Sequence, residues 1–239
     1  MTTDLAAARA FYGQVVGWHA IDAQMPGQDY WIFTVGEKPV AGLMARPEDA
    51  PPPSWSGYVA VEDVDAAAAK VTATGGTVHV PPTDIPDVGR FSIVADPHGA
   101  RFGLITSANP EQDQPAPPGE RGSVAWHELY AGDLASAFAF YAGLFGWEEK
   151  DALDMGEMGV YRIFGIADTT LGGMMTKPPT VPVAQWSYYF QIGNIDEAGE
   201  RVKAAGGQIV YGPQEVPGGD FIVMGVDSQG AGFALVGSR

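Results

Sequence analysis

The chain has 239 residues, no cysteine, and a formal net charge of −16 from 13 basic and 29 acidic side chains. A disulfide scaffold, a thiolate zinc site and a cysteine nucleophile are therefore excluded, and the charge argues against binding nucleic acid or an anionic membrane. With 46% hydrophobic and 18% charged residues, a core can form in one large domain or two ordinary ones.

In chain order, Asp4 is the expected N-cap of a short amphipathic helix reaching Tyr12. His19 begins a strand, with an edge or surface position expected. Strands follow at Tyr30–Val35, Val40–Met44 and Tyr58–Val61, the last two separated by a loop over Arg46–Pro53. A second helix spans Asp65–Thr74 and stops at Gly75-Gly76. Strands Thr77–Val80, Phe91–Val94 and Arg101–Ile105 come next, with Pro81–Gly89 read as a loop and Asp96-Pro97-His98-Gly99 as a turn. Ser107–Arg121 holds four prolines and no apolar periodicity, the pattern of a stiff linker.

Beyond the linker the chain repeats itself. Asp4, Leu5, Phe11, Tyr12, Gly17 and Trp18 recur as Asp133, Leu134, Phe140, Tyr141, Gly146 and Trp147, at an offset of 129. Gly75-Gly76, Pro86, Asp96 and Gly99 recur as Gly206-Gly207, Pro217, Asp227 and Gly230, at an offset of 131. The expected domains are 1–107 and 122–239, joined by a linker over 108–121. Each contains the pattern strand–helix–strand–strand–strand twice. One helix per three or four strands implies an α+β fold, with helices on one face of a mixed sheet. The other face is left to line a cup. Copy two opens with Ser123–Tyr130, whereas copy one has only Met1-Thr2-Thr3 before its helix. Either the first strand of domain one is missing, or the natural start lies upstream of Met1.

The segments DLAAARAFYGQVVGW and DLASAFAFYAGLFGW, the helices ending at Gly75-Gly76 and Gly206-Gly207, and the Asp96–Gly99 turn resemble the vicinal-oxygen-chelate family. That family includes glyoxalase I, bleomycin-resistance proteins and extradiol dioxygenases. Trp126-His127-Glu128-Leu129 and Asp84–Arg90 are similar to segments of its tandem, actinobacterial glyoxalase-like members. The resemblance implies tandem glyoxalase-like domains, each of paired βαβββ units (modules) forming a cupped mixed sheet. It also implies a divalent metal held by His, Gln or Glu on the opening, fourth, fifth and last strands of a domain. Counting from the matched anchors, those positions carry Trp126; Gly42 and Gly172 or Gly173; Ser56 and Ser187; and Gly103 and Ala234. None is a metal ligand. His127 is one residue off, and the two-residue strand period turns it to the opposite face. The metal is therefore expected to be lost, with no cofactor in its place.

The candidates that remain are polar and aromatic. Trp126, Glu128 and Tyr130 share one strand face, with His127 and Leu129 on the other. A carboxylate on the floor of an apolar cup is desolvated, which favours general acid–base work, so Glu128 is the candidate catalytic residue. Ser56 and Tyr58 in copy one, and Ser187, Tyr189 and Gln191 in copy two, stand where a hydrogen-bonding pocket would replace the metal. Arg101 is placed to close the rim of the first cup. Trp55 and Trp186 are expected to point away from the cup. His79 and His98 are expected to be structural.

The function these features favour is metal-independent binding or processing of a small molecule, in secondary metabolism or self-resistance. A glyoxalase-like lyase, an oxygenase or hydroxylase, and a vestigial cup that binds a partner stay open. The expected partner is a small-molecule ligand, not nucleic acid or membrane. The expected form is a monomer with an internal pseudo-dimer, or a homodimer. The opening residues carry neither the basic nor the apolar stretch of a secretory leader, so a cytoplasmic protein is expected.

Overall fold

A computed structural model describes residues 1–25, 27–110 and 119–239. Pro26 and residues 111–118, the centre of the Pro-rich linker, lie outside the described residues. Copy one runs α1 (Leu5–Val15), β1 (His19–Asp22), β2 (Tyr30–Val35), β3 (Lys38–Met44), β4 (Tyr58–Ala60), α2 (Val64–Ala73), β5 (Thr77–Ile85), β6 (Gly89–Ala95) and β7 (Arg101–Ser107). Copy two runs β8 (Val124–Ala131), α3 (Leu134–Phe145), β9 (Glu148–Asp154), β10 (Val160–Ile166), β11 (Thr169–Thr176), β12 (Gln185–Asn194), α4 (Ile195–Ala204), β13 (Gln208–Glu215), β14 (Phe221–Val226) and β15 (Gly232–Ser238). A single 3-10 turn, Gly156–Met158, lies between β9 and β10.

The helix starts follow the sequence. Asp4, Asp63 and Asp133 each accept a hydrogen bond from the backbone N–H three residues on, and Asn194 does the same for α4. In copy one, Thr2 makes an isolated parallel bridge to Ala45. It takes the place that Ala131, paired with Thr176, holds in copy two.

One expected loop is a strand instead. β5 continues through Pro81 and Pro82 to Ile85, and only residues 86–88 turn. Its pairing with β6 is irregular between Val78 and Thr83, and β5 is the edge strand of its sheet. An edge with a bulge tolerates prolines, which have no N–H to give. Arg90 closes this hairpin by pairing with Asp84 at 2.7 Å and with Asp65 at 2.6 Å.

The chain forms two compact units that do not follow the sequence copies. The first takes residues 1–55, 119–125 and 188–239, and the second takes 56–110 and 126–187. Each therefore combines modules from both copies. In the first, α1 packs on α4, β1–β2–β3 form one antiparallel sheet, and β13–β14–β15–β12 lie in sequence within another. In the second, α2 packs on α3, above the sheet orders β4–β7–β6–β5 and β8–β11–β10–β9. The β8–β11 and β4–β7 pairs are parallel and the others in this unit antiparallel, giving mixed sheets. Its core joins Val64, Val71, Phe102 and Leu104 of copy one to Leu129, Phe140, Tyr141, Phe164 and Met174 of copy two.

Each unit has the same buried polar lock, built from a helix tyrosine, a turn aspartate and a tryptophan. In the first, the Tyr12 hydroxyl donates to Asp227 Oδ2 at 3.0 Å and accepts from Trp55 Nε1 at 2.7 Å. In the second, Tyr141 donates to Asp96 Oδ2 at 3.2 Å and accepts from Trp186 Nε1 at 3.0 Å. The other oxygen of each aspartate accepts two turn N–H groups, those of His98 and Ala100 or of Gln229 and Ala231. Burial, and then the Asp227 charge, raise the Tyr12 pKa well above its ordinary value, so its hydroxyl stays a donor. Trp55 and Trp186 point into these cores.

Candidate functional site

The side of β8, β10 and β11 opposite the helix-side core of the second unit carries the candidate site. Gly173 pairs with Glu128 and Met175 with Tyr130 across β11 and β8. Ile163 pairs with Gly173 and Tyr161 with Met175 across β10 and β11. Strand alternation then puts Trp126, Glu128, Tyr130, Tyr161, Ile163, Gly173 and Met175 on one face. Leu129, Phe164 and Met174 go to the other, in the helix-side core.

A hydrogen-bonded chain runs through this face. Trp126 Nε1 donates to the Tyr161 oxygen at 2.8 Å, and the Tyr161 hydroxyl donates to Glu128 Oε2 at 2.9 Å. Glu128 is only 8% exposed, whereas Trp126, Tyr130 and Tyr161 are half-buried. Burial, and then the negative charge of Glu128, push the Tyr161 pKa above its ordinary value of 10. Glycine at 173 makes the arrangement possible, since a Cβ there would overlap Cζ, Cε1 and the oxygen of the Tyr161 ring.

Tyr161 is the residue that sequence reasoning missed. The signal was present in the repeat. Tyr30 and Gly42 stand 131 residues before Tyr161 and Gly173, and Tyr30 lies over Gly42 in the same way. Tyr58 likewise lies over Gly103. At three of the positions where the resemblance implies metal ligands, a tyrosine ring fills the space that a ligating side chain would need. Among the described residues, no group of three or more His, Asp or Glu is placed to hold a metal ion.

The other predicted residues fall in different places. Ser56, Tyr58 and Arg101 are exposed, and Ser187 is half-buried. All four belong to the second unit. Tyr189 and Gln191 belong to the first. Tyr189 is 3% exposed and pairs with Ala234, while the Gln191 backbone bonds Gly122 and Ser123 at 2.7 and 2.8 Å. His127 lies on the helix side with Nδ1 2.9 Å from the Leu171 carbonyl, and burial lowers its pKa. His98 Nε2 is 2.8 Å from Ser136 Oγ at the start of α3. Burial, and then the Arg101 charge, lower the pKa of His79. A surface groove of about 530 Å³ in the first unit is lined by α4, β13 and β14 and contains none of these residues.

Sequence comparison matches the Glyoxalase/Bleomycin resistance protein/Dioxygenase superfamily over residues 1–104 and 123–234, and the chain belongs to that superfamily. CFP32 of Mycobacterium bovis, a protein named as a glyoxylase, is 36% identical over 98% of this chain and 91% of its own length. The anthracycline biosynthesis protein DauV of Streptomyces sp. (strain C5) is 30% identical over 99% and 90%. Among solved structures, the Mn(II)-bound glyoxalase of Novosphingobium aromaticivorans matches at a TM-score of 0.66 and 18% identity, over 99% of this chain and 79% of that one. The 2,3-dioxygenase LapB of Pseudomonas sp. KL28 matches at 0.66 and 15%, over 99% and 89%. Both share the α+β fold. No helix among the described residues is long and apolar enough to cross a membrane.

Proposed function

We propose that the protein binds or processes a small oxygenated molecule without a metal, on the face formed by β8, β10 and β11. The observation that carries this reading is the Trp126–Tyr161–Glu128 chain, whose tyrosine lies over Gly173. An apolar surface with a few fixed polar groups suits a small ligand. The anthracycline-biosynthesis name of one set of relatives supports a planar, oxygenated ligand and a place in secondary metabolism. If the ligand is also converted, Glu128 is the acceptor of its proton.

Elemental analysis of tag-free protein, with ligand titration before and after chelation, tests this reading. The expected result is no stoichiometric transition metal and an affinity that chelation leaves unchanged. A stoichiometric metal whose removal abolishes binding would overturn it. Where turnover is detected, normal activity in Glu128→Gln would remove Glu128 from its role.

A further inference from the structure

We infer that the groove along α4, β13 and β14 binds an uncharged, largely apolar small molecule, of the size of one or two fused rings. The groove has a volume of about 530 Å³, within the range of small-ligand sites. It belongs to the first unit and shares no residue with the β8–β10–β11 face, so it is a second site, independent of the first.

A gap in the packing of α4 opens it. Ile195, Ala198, Gly199 and Val202 follow one another at helical spacing and form the buried stripe of this helix. Ile195, Ala198 and Val202 are fully buried. Gly199, in the middle of the stripe, lines the groove. A Cβ built on it would meet nothing within 4 Å beyond the helix's own backbone. The repeat shows what this position otherwise carries. At the offset of 131, the same place in α2 is Ala68, which is buried in the core of the second unit. Glycine is costly in a helix interior, because it adds freedom to the unfolded chain and packs nothing. On the buried stripe of α4 it lowers stability and keeps space beside the helix.

The lining decides what that space takes. Ile195 and Gly199 on α4, with Ile209, Pro213 and Val223 from the sheet, give apolar walls. The charged residues on the groove are paired. Arg239 holds Asp196 at 2.8 Å, Lys203 holds Glu200 at 2.8 Å, and Glu197 faces Arg201 at 3.8 Å. Opposite charges are thus matched before anything binds. An ionic ligand would compete with one of these pairs and shed its hydration against apolar walls. An uncharged one does neither, so the complement of this groove is apolar and neutral.

The test is a fluorescence titration of the full chain with N-phenyl-1-naphthylamine, a neutral dye that brightens in apolar surroundings. Saturable binding is expected. Gly199→Leu fills the space and should weaken binding at least tenfold. Gly199→Ala should weaken it about threefold while raising the urea midpoint, since a methyl at an open helix position stabilises. Damage to the fold would lower that midpoint instead. Gly143→Ala, at an equally open helix glycine outside the groove, should leave the dye affinity unchanged. Three naphthalenes that differ in one substituent then test the charge rule. 1-Naphthalenemethanol should displace the dye at least tenfold better than 1-naphthalenemethylammonium or 1-naphthoate. Equal or better displacement by either ion would overturn the neutral ligand. Absence of saturable binding, or dye affinity unchanged in Gly199→Leu, would overturn the site. Should the leucine variant unfold, unchanged dye affinity in Gly199→Ala would overturn it equally.

Discussion

Replacing Gly173 by alanine is the sharpest probe of the candidate site, because the two effects it sets against each other have opposite signs. At a strand position with room for a methyl, Gly→Ala stabilises by about 0.4–1 kcal/mol, by narrowing the unfolded ensemble. At Gly173 the new Cβ would sit under 3.0 Å from three atoms of the Tyr161 ring, closer than real Cβ atoms come. The ring has to move, at an overpacking cost of about 1–3 kcal/mol. Moving it also opens the 2.8 Å bond from Trp126 and the 2.9 Å bond to Glu128. Gly173→Ala should therefore destabilise by about 2 kcal/mol. With a urea dependence of about 2 kcal/mol per molar, the midpoint falls by about 1 M. The assay is urea unfolding of a four-member cycle with Tyr161→Ala. Once the ring is gone, Gly173→Ala should revert to mild stabilisation, so the two changes couple by about 1.5–3 kcal/mol. Additivity within about 0.5 kcal/mol, or a stabilising Gly173→Ala in the otherwise unchanged protein, would refute the claim that glycine is there to seat the tyrosine.

Gly143, in the interior of α3, has open space within 4 Å of the point where an alanine methyl would sit, so Gly143→Ala should stabilise by about 0.5–1 kcal/mol in the same assay; destabilisation would mean that the helix surface there is occupied. Tyr141→Phe strips the lock of the second unit and leaves Asp96 Oδ2 and Trp186 Nε1 without that partner; a loss of about 1–3 kcal/mol is expected, matched by Tyr12→Phe in the first unit, and a neutral result in either would show that the lock does not hold its core. His127 gives a pH signature. Its folded pKa lies below the ordinary 6.5 because it is buried, so below that value the unfolded chain binds a proton that the folded one refuses, and stability falls as pH drops through 6.5 toward the folded pKa. His127→Asn should flatten that part of the stability–pH curve, as measured by urea midpoints between pH 7.5 and 5; an unchanged slope would remove His127 as its source.

Much of this protein is decided locally and is legible in the chain. Asp4 and its repeat Asp133 cap helix starts within a single turn. Gly75, in the left-handed region at φ 90°, turns the chain out of α2, and Gly206 does the same after α4 at φ 84°. The two-residue period of β8 is enough to separate Glu128 from His127, and both fall on the faces that it assigns. Repetition at offsets of 129 and 131 reveals the tandem copies.

Other features depend on residues far apart in the chain, and no local pattern records them. Tyr12 meets Asp227 across 215 residues, and Tyr141 meets Asp96 across 45. Those pairs belong to the compact units, which cut across the sequence copies, because a buried carboxylate needs donors and its own turn supplies only two of them. Pro81 and Pro82 read as a loop by composition, yet an irregular edge strand accommodates them. Spacing placed the helices and the strand faces of β8, and the repeated segments carried the resemblance that supplied the fold family. Only the tertiary structure decided that Tyr161 crosses to Gly173 and connects Trp126 to Glu128, since that contact depends on the registers of β10, β11 and β8 together, and strand register is fixed by pairing rather than by any one strand's sequence.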